Sequence, residues 1–125
     1  MKKRLLFLVP FILLSVACNQ KTISFSGESD YWKGEYSANI SDKGTREDGK
    51  YIFGYKNATS DTSFDWVEIE INDGETGRKE ENFKGATIII PRSCSGCSVT
   101  REDTAIKVRI KWDGEMEESF VLEPM

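Results

Sequence analysis

Cys94-Ser95-Gly96-Cys97 brings the most reactive side chains of the chain to a working distance. A C-x-x-C pair is the spacing at which dithiol oxidoreductases cycle a disulfide. Such enzymes hold the first cysteine at a helix N-terminus, which lowers its thiol pKa. Here Ser98-Val99-Thr100-Arg101-Glu102-Asp103 leads directly into an alternating strand pattern, so no such helix is expected. Arg92 and Arg101 favour a thiolate only weakly. The structural reading is a disulfide between Cys94 and Cys97 that closes a four-residue loop, worth about 2 kcal/mol by loop entropy. A redox pair, metal capture and free thiols stay open beside it. A zinc site would need two further ligands, and the chain contains no histidine. That absence also removes Ser-His and Cys-His nucleophile pairs and the commonest general base. Glu68 and Glu70 project from one side of a strand about 7 Å apart, a glycosidase-like separation, but alternate acids of this kind are ordinarily a solvated face. Asp73, Glu75 and Asp113 lack calcium-loop spacing and suit turns. The expectation is a chain with no catalytic residues, no metal and no cofactor.

Phe64 and Trp66 form a candidate binding patch. With Val67, Ile69 and Ile71 facing the core, strict alternation sends both aromatics outward, where an exposed pair would anchor a protein or glycan. A bulge near Asp65, or a covering loop, would hide Trp66 instead.

The third cysteine, Cys18, ends the leader. Met1-Lys2-Lys3-Arg4 is a cationic head and Leu5 to Val16 is an uncharged run of twelve residues. As a helix it rises about 18 Å against a hydrocarbon core of about 30 Å, too short to span. It therefore reads as an export signal over residues 1–17, removed after use. The exit Ser15-Val16-Ala17-Cys18 resembles the lipobox of bacterial lipoproteins, in which the cysteine is diacylated on sulfur and becomes the new N-terminus. The family usually carries Leu where this chain has Ser15, and an ordinary signal peptidase would also accept these small residues. Cysteine arithmetic favours the lipoprotein: with Cys94 and Cys97 paired, an unlipidated Cys18 would be an odd thiol in an oxidising compartment.

Removal of residues 1–17 takes away Lys2, Lys3 and Arg4, leaving 14 of the 17 basic residues against 21 acidic ones, a net charge of −7. Such a domain is repelled by nucleic acid and by anionic lipid, so the lipid at Cys18 must do the holding. Residues 18–25 read as the anchor cysteine and a polar tether, Asn19 to Ser24, with a reach of roughly 20 Å. Residues 26–125 suit a single domain.

Within that domain Trp32, Gly34, Tyr36, Ala38 and Ile40 alternate with Lys33, Glu35, Ser37 and Asn39, the pattern of a half-buried strand. Ser41 to Gly49 reads as a charged loop, and Tyr51 to Lys56 as an aromatic-rich strand. Phe64 to Asn72 alternates and turns at Asp73-Gly74. Arg78 to Lys84 suits a loop or a poor edge strand. The run through Ile88, Ile89 and Ile90 is stopped by Pro91, and Ser93 to Ser98 is a loop. Ile106, Val108, Ile110 and Trp112 point inward from the clearest strand. For the last hairpin a bulged turn at Asp113-Gly114, with Ile110 by Met116 and Arg109 by Glu117, keeps both faces consistent. The expected core includes Trp32, Tyr36, Ile69, Ile88, Val108, Ile110 and Phe120. Five to seven strands and no helical period predict an all-β fold, a single β-sandwich of immunoglobulin-like type with a small β-barrel as the alternative.

The lipobox-like leader, Ser26-Gly27-Glu28-Ser29 followed by Trp32-Lys33-Gly34-Glu35-Tyr36, the Ser93 to Cys97 loop and the closing Ile110-Lys111-Trp112-Asp113-Gly114 together resemble small lipoproteins of Gram-positive bacteria. The likeness covers nearly the whole chain. It implies lipid anchoring on the extracytoplasmic face of the cell membrane and implies no activity. The expected role is a non-enzymatic binding or structural module engaging an envelope protein or a cell-wall component, with a thiol-disulfide redox protein using Cys94 and Cys97 as the alternative.

Overall fold

Alternation builds the walls. In β2 (Trp32–Ile40) every second residue from Trp32 to Ile40 is buried while the residues between them are exposed. The same period governs β4 (Ser63–Ile71) from Val67 onward and β7 (Ile106–Trp112) throughout. The computed structural model describes residues 20–125, so the leader and Cys18 lie outside the described residues. The remaining elements are β1 (Lys21–Glu28), β3 (Arg46–Tyr55), β5 (Thr76–Lys84), β6 (Thr87–Ser95) and β8 (Met116–Pro124).

All eight strands join one antiparallel sheet in the order β5-β4-β7-β8-β1-β2-β3-β6, curled until it is nearly closed. Odd-numbered strands begin, and even-numbered strands end, at one rim, called here the Lys21 end. The opposite rim, the Trp32 end, carries the turns 29–31, 56–62, 85–86 and 113–115. The fold is all-β, and of the two architectures open to the sequence the small barrel is the one that forms; the strand order is not that of an immunoglobulin sandwich. Two halves can still be traced, because β1 and β8 pair only through Phe25 with Pro124 and Ser26 with Glu123. Between them the interior is filled. Phe25, Trp32, Tyr36, Phe53, Ile110 and Leu122 are fully enclosed. All the expected core residues are buried except Phe120, which is half-buried against the core.

The barrel stops short of closure between β5 and β6. Residues of β5 opposite the buried Ile69 and Val67 are Arg78 and Glu80, so this edge strand turns charges inward, and they pair at 2.8 Å. Arg78 Nη1 also donates to the Ile89 carbonyl across the seam at 3.2 Å. Since that carbonyl faces the seam, alternation sets the Pro91 nitrogen on the same side, where no ladder bond is lost. This is why β6 runs through Pro91 to Ser95 rather than stopping, and why the cysteine loop expected at 93–98 begins only at Gly96. Inward charges and an edge proline also protect the seam from strand addition.

Three other expectations are corrected. From Lys21 onward the expected polar tether is instead the start of β1, with Ile23 and Phe25 buried and Lys21 paired to Ile40. The loop expected over 41–49 ends at Thr45, and Gly49 sits in the ladder opposite Ala38. In the last hairpin the parity of the faces is as expected but the register differs by two residues, with Trp112 opposite Met116 and Ile110 opposite Glu118. Glu118 tolerates its inward place because the Ser29 hydroxyl donates to it and the Tyr31 N–H reaches it at 3.0 Å. Trp112 thereby stays in the strand, packed on Trp32 with centroids 5.6 Å apart.

Candidate functional site

At the Lys21 end one carboxylate is entirely enclosed. Glu47 lies on the same face of β3 as Tyr51 and Phe53, and its exposure is 0%. The Tyr36 hydroxyl donates to it from β2. The Thr100 N–H and hydroxyl donate to it at 2.8 and 2.7 Å from the loop 96–105. Arg92 of β6 stands 3.7 Å away with its side chain 20% exposed. One charged residue thus ties two strand faces and a long loop together, and Val99 packs on the core beneath that loop.

The electrostatics follow from this enclosure. Burial is the largest influence on Glu47 and pushes its pKa up, but the hydrogen bonds from Tyr36 and Thr100 and the charge of Arg92 outweigh it, and the net displacement is downward. Tyr36 is driven far above the ordinary phenol range, first by burial and then by its bond to Glu47. Tyr51 is pushed up to about 12, mainly by burial. Both phenols therefore stay neutral and Glu47 stays ionised at neutral pH. Arg92 Nε is buried without a hydrogen-bond partner, which makes it a counter-charge to Glu47 held by proximity alone.

Cys94 and Cys97 sit beside this cluster. They are disulfide-bonded, with Cα atoms 6.1 Å apart, and Cys94 is the ladder partner of Glu47. The bond spans the end of β6 and the turn at Gly96, whose φ is 74° and whose N–H donates to the Thr45 carbonyl at 2.6 Å. No helix precedes or follows it. Labelling native protein with a thiol reagent should modify neither Cys94 nor Cys97 until a reductant is added; full labelling without reductant would show the bond to be absent in solution.

The aromatic patch is divided. Phe64 is only 4% exposed and stacks on Trp32 with centroids 5.5 Å apart, so its expected outward position is corrected. Trp66 remains half-buried on the outer face with Lys79 Nζ 5.6 Å from its ring centroid. Alternation breaks between them because β4 pairs with β7 only from Val67 onward. Asp113 supplies the missing partners: its carboxylate accepts from the Asp65 N–H at 2.7 Å, and its own N–H donates to the Trp66 carbonyl. Phe64 joins Trp32, Tyr55 and Trp112 in an aromatic cluster at the Trp32 end, while Glu68 and Glu70 lie outward, Glu70 in an ion pair with Arg109 at 2.5 Å. Cys18 lies outside the described residues.

Sequence reasoning missed Glu47, Thr100 and Glu118, and weighed Arg92 only as a neighbour of the cysteines rather than as the partner of Glu47. For Glu47 a signal existed: carrying the parity of Tyr51 and Phe53 back through Gly49 places it inward. Among the described residues no group of three or more His, Cys, Asp or Glu side chains is arranged to hold a metal, and no helix is long and apolar enough to cross a membrane. Comparison with family models, curated proteins and solved structures finds no match to this chain.

Proposed function

We propose that this chain is a lipoprotein anchored through Cys18 on the extracytoplasmic face of the cell membrane, acting as a non-enzymatic binding or structural module of the envelope. The observation that carries the non-enzymatic part is the filled interior. Where large aromatics occupy the barrel and its one enclosed carboxylate is committed to holding a loop, the surfaces left for a partner are the rims and outer walls. Trp66 is the aromatic anchor still presented on a wall, and the partner class is an envelope protein or cell-wall component. Anchoring rests on the short apolar run and the Ala17-Cys18 exit.

Cys18→Ala should move the protein from the detergent phase to the aqueous phase in a phase-partition assay, and unchanged membrane association would sink the anchor. Crosslinking in the native envelope, comparing wild type with Trp66→Ala, tests the binding role: a specific partner should be lost in the variant. The half-exposed Cys94–Cys97 bond keeps the redox reading as the alternative. Turnover in an insulin-reduction assay, or a mixed disulfide trapped by Cys97→Ser, would favour it.

A further inference from the structure

We infer that the Lys21 end of the barrel, with its disulfide loop, is held against the lipid headgroups, and that the Trp32 end is the rim presented to the envelope. The inference rests on the anchoring proposed above and adds an orientation to it. Strand β1 begins at Lys21, so only Asn19 and Gln20 separate it from Cys18. At about 3.3–3.6 Å per residue, the Cys18 and Lys21 Cα atoms can stand at most about 11 Å apart. Lys21 cannot swing free to lengthen that leash. Strand β1 is laddered to β2 over its whole length, from Lys21 with Ile40 to Glu28 with Lys33, and Lys21 is ion-paired to Glu102 of the loop 96–105 at 3.5 Å. A lipid on Cys18 therefore brings the turn 41–45 and the loop 96–105 to the headgroup layer with it.

The opposite rim stays away. Strand β1 has eight residues, which at about 3.3 Å each place Glu28 about 23 Å from Lys21. Lying the barrel flat would press its wall onto the bilayer, and a domain of net charge −7 is repelled by an anionic leaflet, so standing on one rim is favoured. Two consequences follow for the candidate residues. The Cys94–Cys97 bond faces the membrane, where a bulky soluble reductant has poor access. Tyr31 and Tyr55, half-buried and stacked with centroids 6.2 Å apart, lie on the outward rim.

The test uses the mature lipidated protein in vesicles of phosphatidylcholine and phosphatidylglycerol, with a photoactivatable phenylalanine analogue replacing Lys43 or Arg101 at one rim, or Asp61 or Glu115 at the other. All four side chains are exposed. Lipid adducts should be several-fold more abundant from Lys43 and Arg101, and insertion of a long Gly-Ser spacer between Gln20 and Lys21 should erase the difference. Equal or reversed labelling, in protein that still floats with the vesicles, would overturn the orientation and leave the anchor standing. Protein that does not float with the vesicles would overturn both.

Discussion

Replacing Glu47 with alanine will lower the unfolding free energy by about 3–5 kcal/mol, the range for removing one partner of a buried charge pair. That is a large share of the roughly 5–15 kcal/mol that holds a domain of this size together. The deletion does more than vacate a side chain. It leaves the Tyr36 hydroxyl without an acceptor, strands two donors of Thr100, and leaves Arg92 uncompensated inside the rim. Each unsatisfied donor in an enclosed site costs about 1–3 kcal/mol, partly relieved if the loop 96–105 lifts and lets water in. Chemical denaturation read by tryptophan fluorescence measures the loss. Thr100→Val should cost less than Glu47→Ala, because it removes one side-chain donor and keeps the N–H bond. A loss below about 1 kcal/mol for Glu47→Ala would place this residue with ordinary surface pairs and discard the clasp.

The same residue should shape the acid limb of stability. Its folded pKa lies below the ordinary glutamate value of 4.5, so the folded state favours the ionised form. Its contribution is then complete above that value and is lost as pH falls through the lower folded pKa, when a proton must be forced onto a carboxylate already accepting three hydrogen bonds. Glu47→Gln should therefore flatten the decline of stability below about pH 4.5 without abolishing it. Asp48 and Asp73 are also held low, by Ser93 with Arg46 and by Lys107, and keep part of the slope.

What the sequence disclosed, and what it withheld, follows from the range of each interaction. Alternation is a local signal, so β2, β4 and β7 and most of their buried residues could be read from the chain alone. The aromatic pair was not legible, because the irregularity at Asp65 is capped by Asp113, whose N–H and carboxylate come from another hairpin. The register of β7 and β8 was misjudged for the same reason. An inward Glu118 looks like an error until Ser29 and Tyr31, nearly 90 residues earlier, are seen to satisfy it. Asp48-Gly49 carries a turn signature, yet Glu47 draws β3 back through it by finding Tyr36 across the ladder and Thr100 beyond the cysteines. Charged and polar residues inside a barrel are the hardest to foresee, since their placement is decided by partners that only the finished topology supplies. The disulfide, by contrast, was legible as a candidate from spacing alone, whereas its place at the end of an edge strand was not.

A single methyl group at Gly27 should be as damaging as the loss of Glu47. A Cβ built there would lie 1.9 Å from the Val121 carbonyl oxygen, 2.9 Å from its carbon and 3.3 Å from the Leu122 Cα. All three atoms are backbone, so no rotamer change in a neighbour relieves the overlap; β8 itself must move. The place is unforgiving because β1 and β8 share only two ladder pairs, ending at Ser26 and Glu123, and this short join holds the two halves of the barrel edge to edge. Pushing β8 outward draws the fully enclosed Leu122 out of the core that it shares with Phe25 and opens that core along the join. We expect Gly27→Ala to cost about 3 kcal/mol or more, at the upper end of overpacking effects. Gly54→Ala is the matched control. It lies in β3, its nearest neighbour is the Lys33 Cε at 3.3 Å, and that flexible chain can swing aside. Its effect should stay within about 0.5 kcal/mol, as for an ordinary surface change. Hydrogen exchange gives the finer reading: Gly27→Ala should speed exchange in β8 and β1 before β3 and β6, since the damage enters at the join. If the two alanines prove equally mild, the β1–β8 contact is able to give way, and the barrel is better regarded as two sheets that slide than as one continuous wall.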